Sequence, residues 1–180
     1  TRLNKRIDEM LDMARMELNI LKLDYQSIDI NKVLREISYD ISAVAQRRKI
    51  KLSVEIPEKL PPICADAERL SQILSNLLNN SLKFTPEGGL ITLNAVRNNG
   101  EVLISVKDSG VGIKKKELSR LFKPYLRMRH NRTQFSGLGL GLPLCKQLVE
   151  LHGGKLSITS QVGEGTSVTF SIPINKVDRN

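Results

Sequence analysis

Tryptophan is absent from this 180-residue sequence, and three tyrosines and four phenylalanines are its whole aromatic complement. A surface that stacks nucleic-acid bases needs more rings than that. The net charge of +9 therefore does not by itself point to nucleic acid. Cysteine is scarcer still. Cys64 and Cys145 stand apart with no metal-ligand spacing, and read as small apolar residues in a reducing compartment. No apolar run approaches the ~20 residues that cross a bilayer, and no signal peptide is visible. The expectation is a cytoplasmic piece of a larger protein, which could carry a membrane anchor elsewhere.

What is present is unevenly placed. Between Lys114 and Arg132, eight lysines and arginines stand against Glu117 alone. Most of the excess charge thus lies in one segment, which suits a small polyanion as well as a long one. At 40% hydrophobic, the chain can bury one real core.

The stretch from Asp66 to Thr85 organises the rest. At about 100° per residue it makes a helix with Asp66 as N-cap. Leu70, Ile73, Leu74, Leu77, Leu78 and Leu82 form a core-facing arc, and Asn76, Asn80 and Lys83 gather on the opposite side. Asparagine is a mediocre helix former, because its amide competes for backbone hydrogen bonds. Taken alone, a solvated face that happens to carry amides is the plainer reading.

Around this helix the pattern alternates. Residues 1–24 read as one helix with a narrow apolar stripe of Leu3, Ile7, Met10, Ala14, Leu18 and Leu21, open to a partner helix or packed on its own domain. Gln26–Ile30 suggests a short strand. Asn31 then caps a helix to about Arg48, and Ile50–Ile56 alternates as a strand. Leu90–Val96 and Val102–Asp108 form a hairpin across Asn98, Asn99 and Gly100. Lys115–Phe122 is a short helix, and 123–138 is a charged, glycine-bearing loop. A helix at Gly141–His152 and a hairpin of Lys155–Ser160 with Thr166–Ile172 complete the order. The expectation is an α+β fold, a two-layer α/β sandwich with helices over one mostly antiparallel sheet.

Two motifs carry chemistry. Asp108 shares strand parity with Val102, Ile104 and Val106, so it points to the core side. The Ser-Gly-Val-Gly-Ile that follows allows close backbone approach to a ligand through Gly110 and Gly112. A carboxylate in such a slot accepts from an exocyclic amine; a strand-end turn capped by its own carboxylate is the plainer alternative. Gly137-Leu138-Gly139-Leu140-Gly141-Leu142 opens a helix and aims free amides at a phosphate-sized anion, or serves as a hinge.

In order, these segments resemble the ATP-binding catalytic domain of sensor histidine kinases, within the superfamily that includes gyrase, the ninety-kilodalton heat-shock chaperone and MutL. NLLNNSLKFTPEGG (76–89) is similar to its N box, DSGVGI (108–113) to its first glycine box, LFKPYLR (121–127) to its F box, and GLGLGL (137–142) to its second glycine box. The resemblance covers nearly the whole chain and implies the Bergerat-type ATP-binding sandwich. It implies that Asn80 holds Mg²⁺, with Asn76 and Lys83 near the phosphates of ATP. Asp108 would accept the adenine amine, Phe84, Ile113 and Leu142 would line the base, and Thr166 would touch the base region. Gly110, Gly112, Gly137, Leu138, Gly139, Leu140 and Gly141 would frame the nucleotide. The implied catalytic set is Asn76, Lys83 and Arg127, with Arg127 reaching the γ-phosphate from the lid.

The resemblance also narrows the chemistry. Superfamily members that hydrolyse ATP carry a Glu where Asn76 stands here, and an amide cannot take a proton from water at neutral pH. Phosphoryl transfer to a protein side chain fits better. Neither His130 nor His152 sits in the helical His-Glu or His-Asp setting of the family's acceptor box. Residues 1–24 resemble the tail of the second helix of the dimerisation and phosphoacceptor hairpin, 25–175 the catalytic domain, and 176–180 a C-terminal tail. The implied partners are the phosphoacceptor domain of a homodimeric parent kinase and a response regulator, and no nucleic acid. The fragment is not expected to phosphorylate itself on the usual histidine. Departures from the family pattern fall in the lid, at Leu126 (usually Tyr) and Arg129 (often acidic). An anti-sigma-type protein-serine kinase and a nucleotide-holding module without transfer are the alternatives. The first usually carries Glu at the position of Asn76, and complete glycine boxes weigh against the second.

Overall fold

A computed structural model describes residues 7, 10–12, 14, 15, 18, 20–122 and 139–175. Its main layer is a five-stranded sheet in the order β2 (Lys51–Glu55), β4 (Leu90–Asn98), β5 (Glu101–Asp108), β7 (Gly165–Pro173), β6 (Leu156–Gln161). β2 and β4 run parallel, and the other three pairings are antiparallel. A two-stranded sheet joins β1 (Gln26–Ile28) to β3 (Ile63–Ala65). Helices α1 (Ile30–Arg47), α2 (Ala67–Phe84), α3 (Lys115–Leu118) and α4 (Gly141–Leu151) complete the described elements. The α+β sandwich expected from the sequence is the architecture observed. No described helix is long and apolar enough to cross a membrane.

The alternation in the strands decides the core face. Ile91, Leu93 and Ala95 of β4, Val102, Ile104 and Val106 of β5, and Val168, Phe170 and Ile172 of β7 are all buried. The inward rows meet Leu70, Ile73, Leu74, Leu77 and Leu78 of α2, and Leu144, Leu148 and Val149 of α4. Strand β2 reads in sequence like its neighbours but lies at the sheet edge. Leu52 is only half-buried there and Val54 is 44% exposed. The β4–β5 hairpin closes on Asn99 and Gly100 alone, with φ of 41° and 85°, the left-handed pair that a two-residue turn requires.

Several boundaries differ from expectation: the expected strand Gln26–Ile30 stops at Ile28 because Ile30 already opens α1, and three further differences have a visible cause. Asp29, not Asn31, caps α1; its Oδ1 accepts the Asn31 amide at 2.9 Å and the Lys32 amide at 3.4 Å. Asn31 lies inside the first turn, where its side chain donates to Pro57 O and accepts from Leu60 N, pinning the proline loop. Helix α3 stops at Leu118. From Glu117 onward the amides close i→i−3 bonds, so the chain tightens into turns through Phe122 instead of continuing the helix. The N-terminal helix ends before residue 20, not at 24. There the chain leaves helical form, and Leu21 and Leu23 pack partly buried against the core.

That entry is held at two helix ends. The Asp24 amide donates to Asp66 Oδ2 (3.0 Å), while Oδ1 of the same carboxylate caps α2 through the Arg69 amide (3.0 Å). The Tyr25 hydroxyl donates to Leu151 O at the end of α4 (2.8 Å). Between them His152, 2% exposed, accepts from the Asp66 amide at Nε2 (3.1 Å), with Nδ1 2.8 Å from Leu148 O. Burial holds its pKa below the ordinary 6.5, so the ring is neutral, with its proton on Nδ1. Upstream, Asp12 is buried against Arg69 Nη1 (2.6 Å) and Gln72 Nε2 (2.9 Å), while Ile7, Met10 and Leu18 remain exposed.

Candidate nucleotide site

Helix α2 packs beside α4 on the sheet, and both ends of the candidate site are built on it. Part of the amide-bearing side of α2, which taken alone reads as solvated, is buried. Asn76 is 6% exposed, and a Cβ placed on Gly141 would lie 3.9 Å from its Cγ. The Asn76 Nδ2 group has no hydrogen-bond partner in this buried position. An orphaned donor of this kind costs stability unless a ligand acceptor meets it. Asn80, one turn on, is half-buried, as are Lys83 and Phe84, whose ring lies 4.9 Å from the Lys83 ammonium.

The other end is the carboxylate. Asp108 closes β5, paired with Thr166 of β7 and Ile91 of β4, and points inward as its parity requires. Its Oδ1 accepts the amides of Gly110 (2.9 Å) and Thr166 (3.2 Å), and its Oδ2 accepts the Ser81 hydroxyl (3.1 Å). Burial pushes its pKa above the ordinary 3.8, and the three donors oppose that shift. Gly110 fits because a Cβ there would lie 2.6 Å from Phe84 O and 2.7 Å from Asp108 Oδ1. Gly112, at φ 68°, would bring a Cβ within 1.9 Å of Gln161 O. The loop is thus clamped between the end of α2 and the β6–β7 turn. Ile113 is fixed by its amide donating to Ser160 Oγ (2.9 Å).

The glycine repeat enters α4 without a side-chain cap at Leu140, and Pro143 has no amide to satisfy. Gly139 adopts φ 75°, Leu140 is buried, and Leu142 packs partly against the core. The structure therefore brings Asn76, Asp108, Gly110, Gly112, Ile113, Thr166 and Gly139–Leu142 around one helix. Gly137, Leu138 and Arg127 lie outside the described residues. Sequence reasoning missed Ser81 and Ser160. Both left a signal: Ser81 falls on the apolar arc, seven residues after Leu74, and Ser160 shares parity with the inward Leu156 and Ile158.

Residues 65–176 match the family model described as histidine kinase-, DNA gyrase B-, and HSP90-like ATPase. The chain belongs to this family. It is 34% identical over 96% of its length to the adaptive-response sensory kinase SasA of Parasynechococcus marenigrum, of which it covers 47%. It thus spans about half the length of that relative. Among solved structures it is similar to full-length ShkA in complex with AMPPNP, with 29% identity and a TM-score of 0.86 over 99% of this chain and 37% of that one. It is also similar to the catalytic domain of histidine kinase ThkA in a nucleotide-free form, with 26% identity and a TM-score of 0.76 over 86% of this chain and 98% of that one.

Proposed function

We propose that this chain is the ATP-binding catalytic part of a two-component sensor histidine kinase. It transfers the γ-phosphoryl group of ATP to a histidine on a phosphoacceptor domain, for onward passage to a response regulator. The observation that carries this reading is the double use of α2. Ser81 touches the inward carboxylate of Asp108, while Asn76 turns an unpartnered amide toward the glycine-rich start of α4. A ligand with a base amine at one end and an anion at the other fits that spacing of donors and acceptors.

The residues divide the work. Asp108 accepts the adenine amine, Phe84, Ile113 and Leu142 flank the base, and Thr166 orients the carboxylate through its amide. Asn76 Nδ2, Lys83 and the Gly139 and Gly141 amides face the phosphates. Asn80 would supply an amide oxygen to Mg²⁺. With that one protein ligand, Mg²⁺ would be held mainly by phosphate oxygens of the nucleotide and water, as is usual for this ion. Mg²⁺ would neutralise charge on the transferring phosphate. Arg127 is assigned the same task from the lid. Asn76 cannot act as a base toward water, which favours transfer over hydrolysis.

His152 is buried and bonded at both ring nitrogens, which disqualifies it as acceptor. The acceptor histidine belongs to a domain beyond these residues, and the helical part of the chain before residue 20 is the tail of that domain's second helix. Incubation with labelled ATP and a separate acceptor-hairpin protein tests the reading. Label stable in alkali and labile in acid should appear on the hairpin and not on this chain alone. Label on serine, or tight binding with no transfer, would replace this function with another.

A further inference from the structure

Counting acceptor sites at Asp108 yields an assignment that none of the sequence motifs contains. A carboxylate oxygen presents two lone pairs. Both on Oδ1 are taken, by the amides of Gly110 and Thr166. One on Oδ2 is taken by the hydroxyl of Ser81, leaving a single open direction. Resting on the adenine-nucleotide reading above, the geometry points to Asp108 Oδ2 as the atom that meets the base amine, and to Ser81 as the positioning residue that aims it.

Three features support the role. Ser81 is 4% exposed and lies on the core arc of α2, where an alanine would fit the helix better. Its hydroxyl is spent on the carboxylate, while its backbone carbonyl is separately satisfied by Thr85 Oγ1 (2.6 Å) and the Thr85 amide (3.0 Å). And the contact joins α2, which carries Asn76 and Asn80, to the strand that reads the base. A hydrogen bond to the ionised form also favours that form, so Ser81 opposes the rise that burial imposes on the Asp108 pKa.

The test measures affinity for a non-hydrolysable ATP analogue against pH, for the wild type, Ser81→Ala and Ser81→Cys. Affinity falls on acidification as Asp108 takes a proton and Oδ2 ceases to be a free acceptor. In Ser81→Ala that fall should begin at higher pH, with affinity at neutral pH lower by roughly three- to tenfold. Ser81→Cys conserves size and offers only a weak donor, so it should follow the alanine variant; it also stands in if Ser81→Ala melts early. A uniform loss of affinity with an unmoved pH midpoint would show packing alone and overturn the proposal, as would unchanged binding. If the wild type binds no adenine nucleotide, or Asp108→Asn binds as the wild type does, the site reading itself fails instead.

Discussion

Asp108→Asn is the sharpest probe of the site, because the structure dictates how the new amide must sit. Two backbone amides donate to Oδ1, from Gly110 at 2.9 Å and Thr166 at 3.2 Å. Only an oxygen satisfies both, so the asparagine carbonyl takes the Oδ1 position and its NH₂ falls where Oδ2 was. Ser81 can turn its hydroxyl to accept from that NH₂, so the fold loses little. The base amine, however, now meets a donor. A hydrogen bond to a charged group contributes about 1.5–3 kcal/mol, so affinity for an ATP analogue should drop roughly ten- to a hundredfold. The inosine analogue carries a carbonyl in place of the amine and should lose much less, or gain. Calorimetric titration of both ligands with Mg²⁺ present reads the difference. Adenine affinity within about twofold of the wild type, in a folded variant, would refute the argument.

The same substitution should raise thermal stability in the absence of nucleotide. A folded-state pKa above the unfolded value means that stability falls as pH rises from the unfolded pKa through the folded one. At neutral pH the ionised carboxylate therefore weakens the empty fold, and a melt should show Asp108→Asn above the wild type. His152 works in the opposite direction. Its pKa is lowered by burial, so stability is present above the ordinary value of 6.5 and is lost as pH falls below it toward the folded pKa. His152→Leu should flatten that acid loss and cost about 1–3 kcal/mol at neutral pH by orphaning the Asp66 amide, as denaturant titration at two pH values would report. Gly88 and Gly112 make a matched pair. Both have positive φ, but a Cβ on Gly88 meets nothing within 4 Å, whereas one on Gly112 strikes the Gln161 carbonyl. Gly88→Ala should cost about 1–2 kcal/mol, and Gly112→Ala should cost more and also weaken nucleotide binding.

Much of this was legible in the chain because periodicity encodes direction. Strand parity alone turned Asp108 inward, and the inward rows of β4, β5 and β7 followed the same rule. The asparagine face of α2 was legible as an oddity, but the burial of Asn76 was not, since a single helix cannot reveal that the start of α4 lies beside that side chain. The α1 cap was misplaced because Asp29 and Asn31 are both good caps, and only the docking of the Asn31 side chain on Pro57 and Leu60 separates them. The edge position of β2 was invisible for a related reason. Alternation says which side faces the core, not whether a neighbour lies beyond.

The fastening of residues 24 and 25 has a mechanical consequence. One peptide unit hangs from the start of α2, the next side chain from the end of α4, and His152 bolts those two helix ends together. A displacement of residues 24 and 25 would strain both of these contacts at once. It would bear on the two helices whose other ends carry the residues proposed to hold the nucleotide.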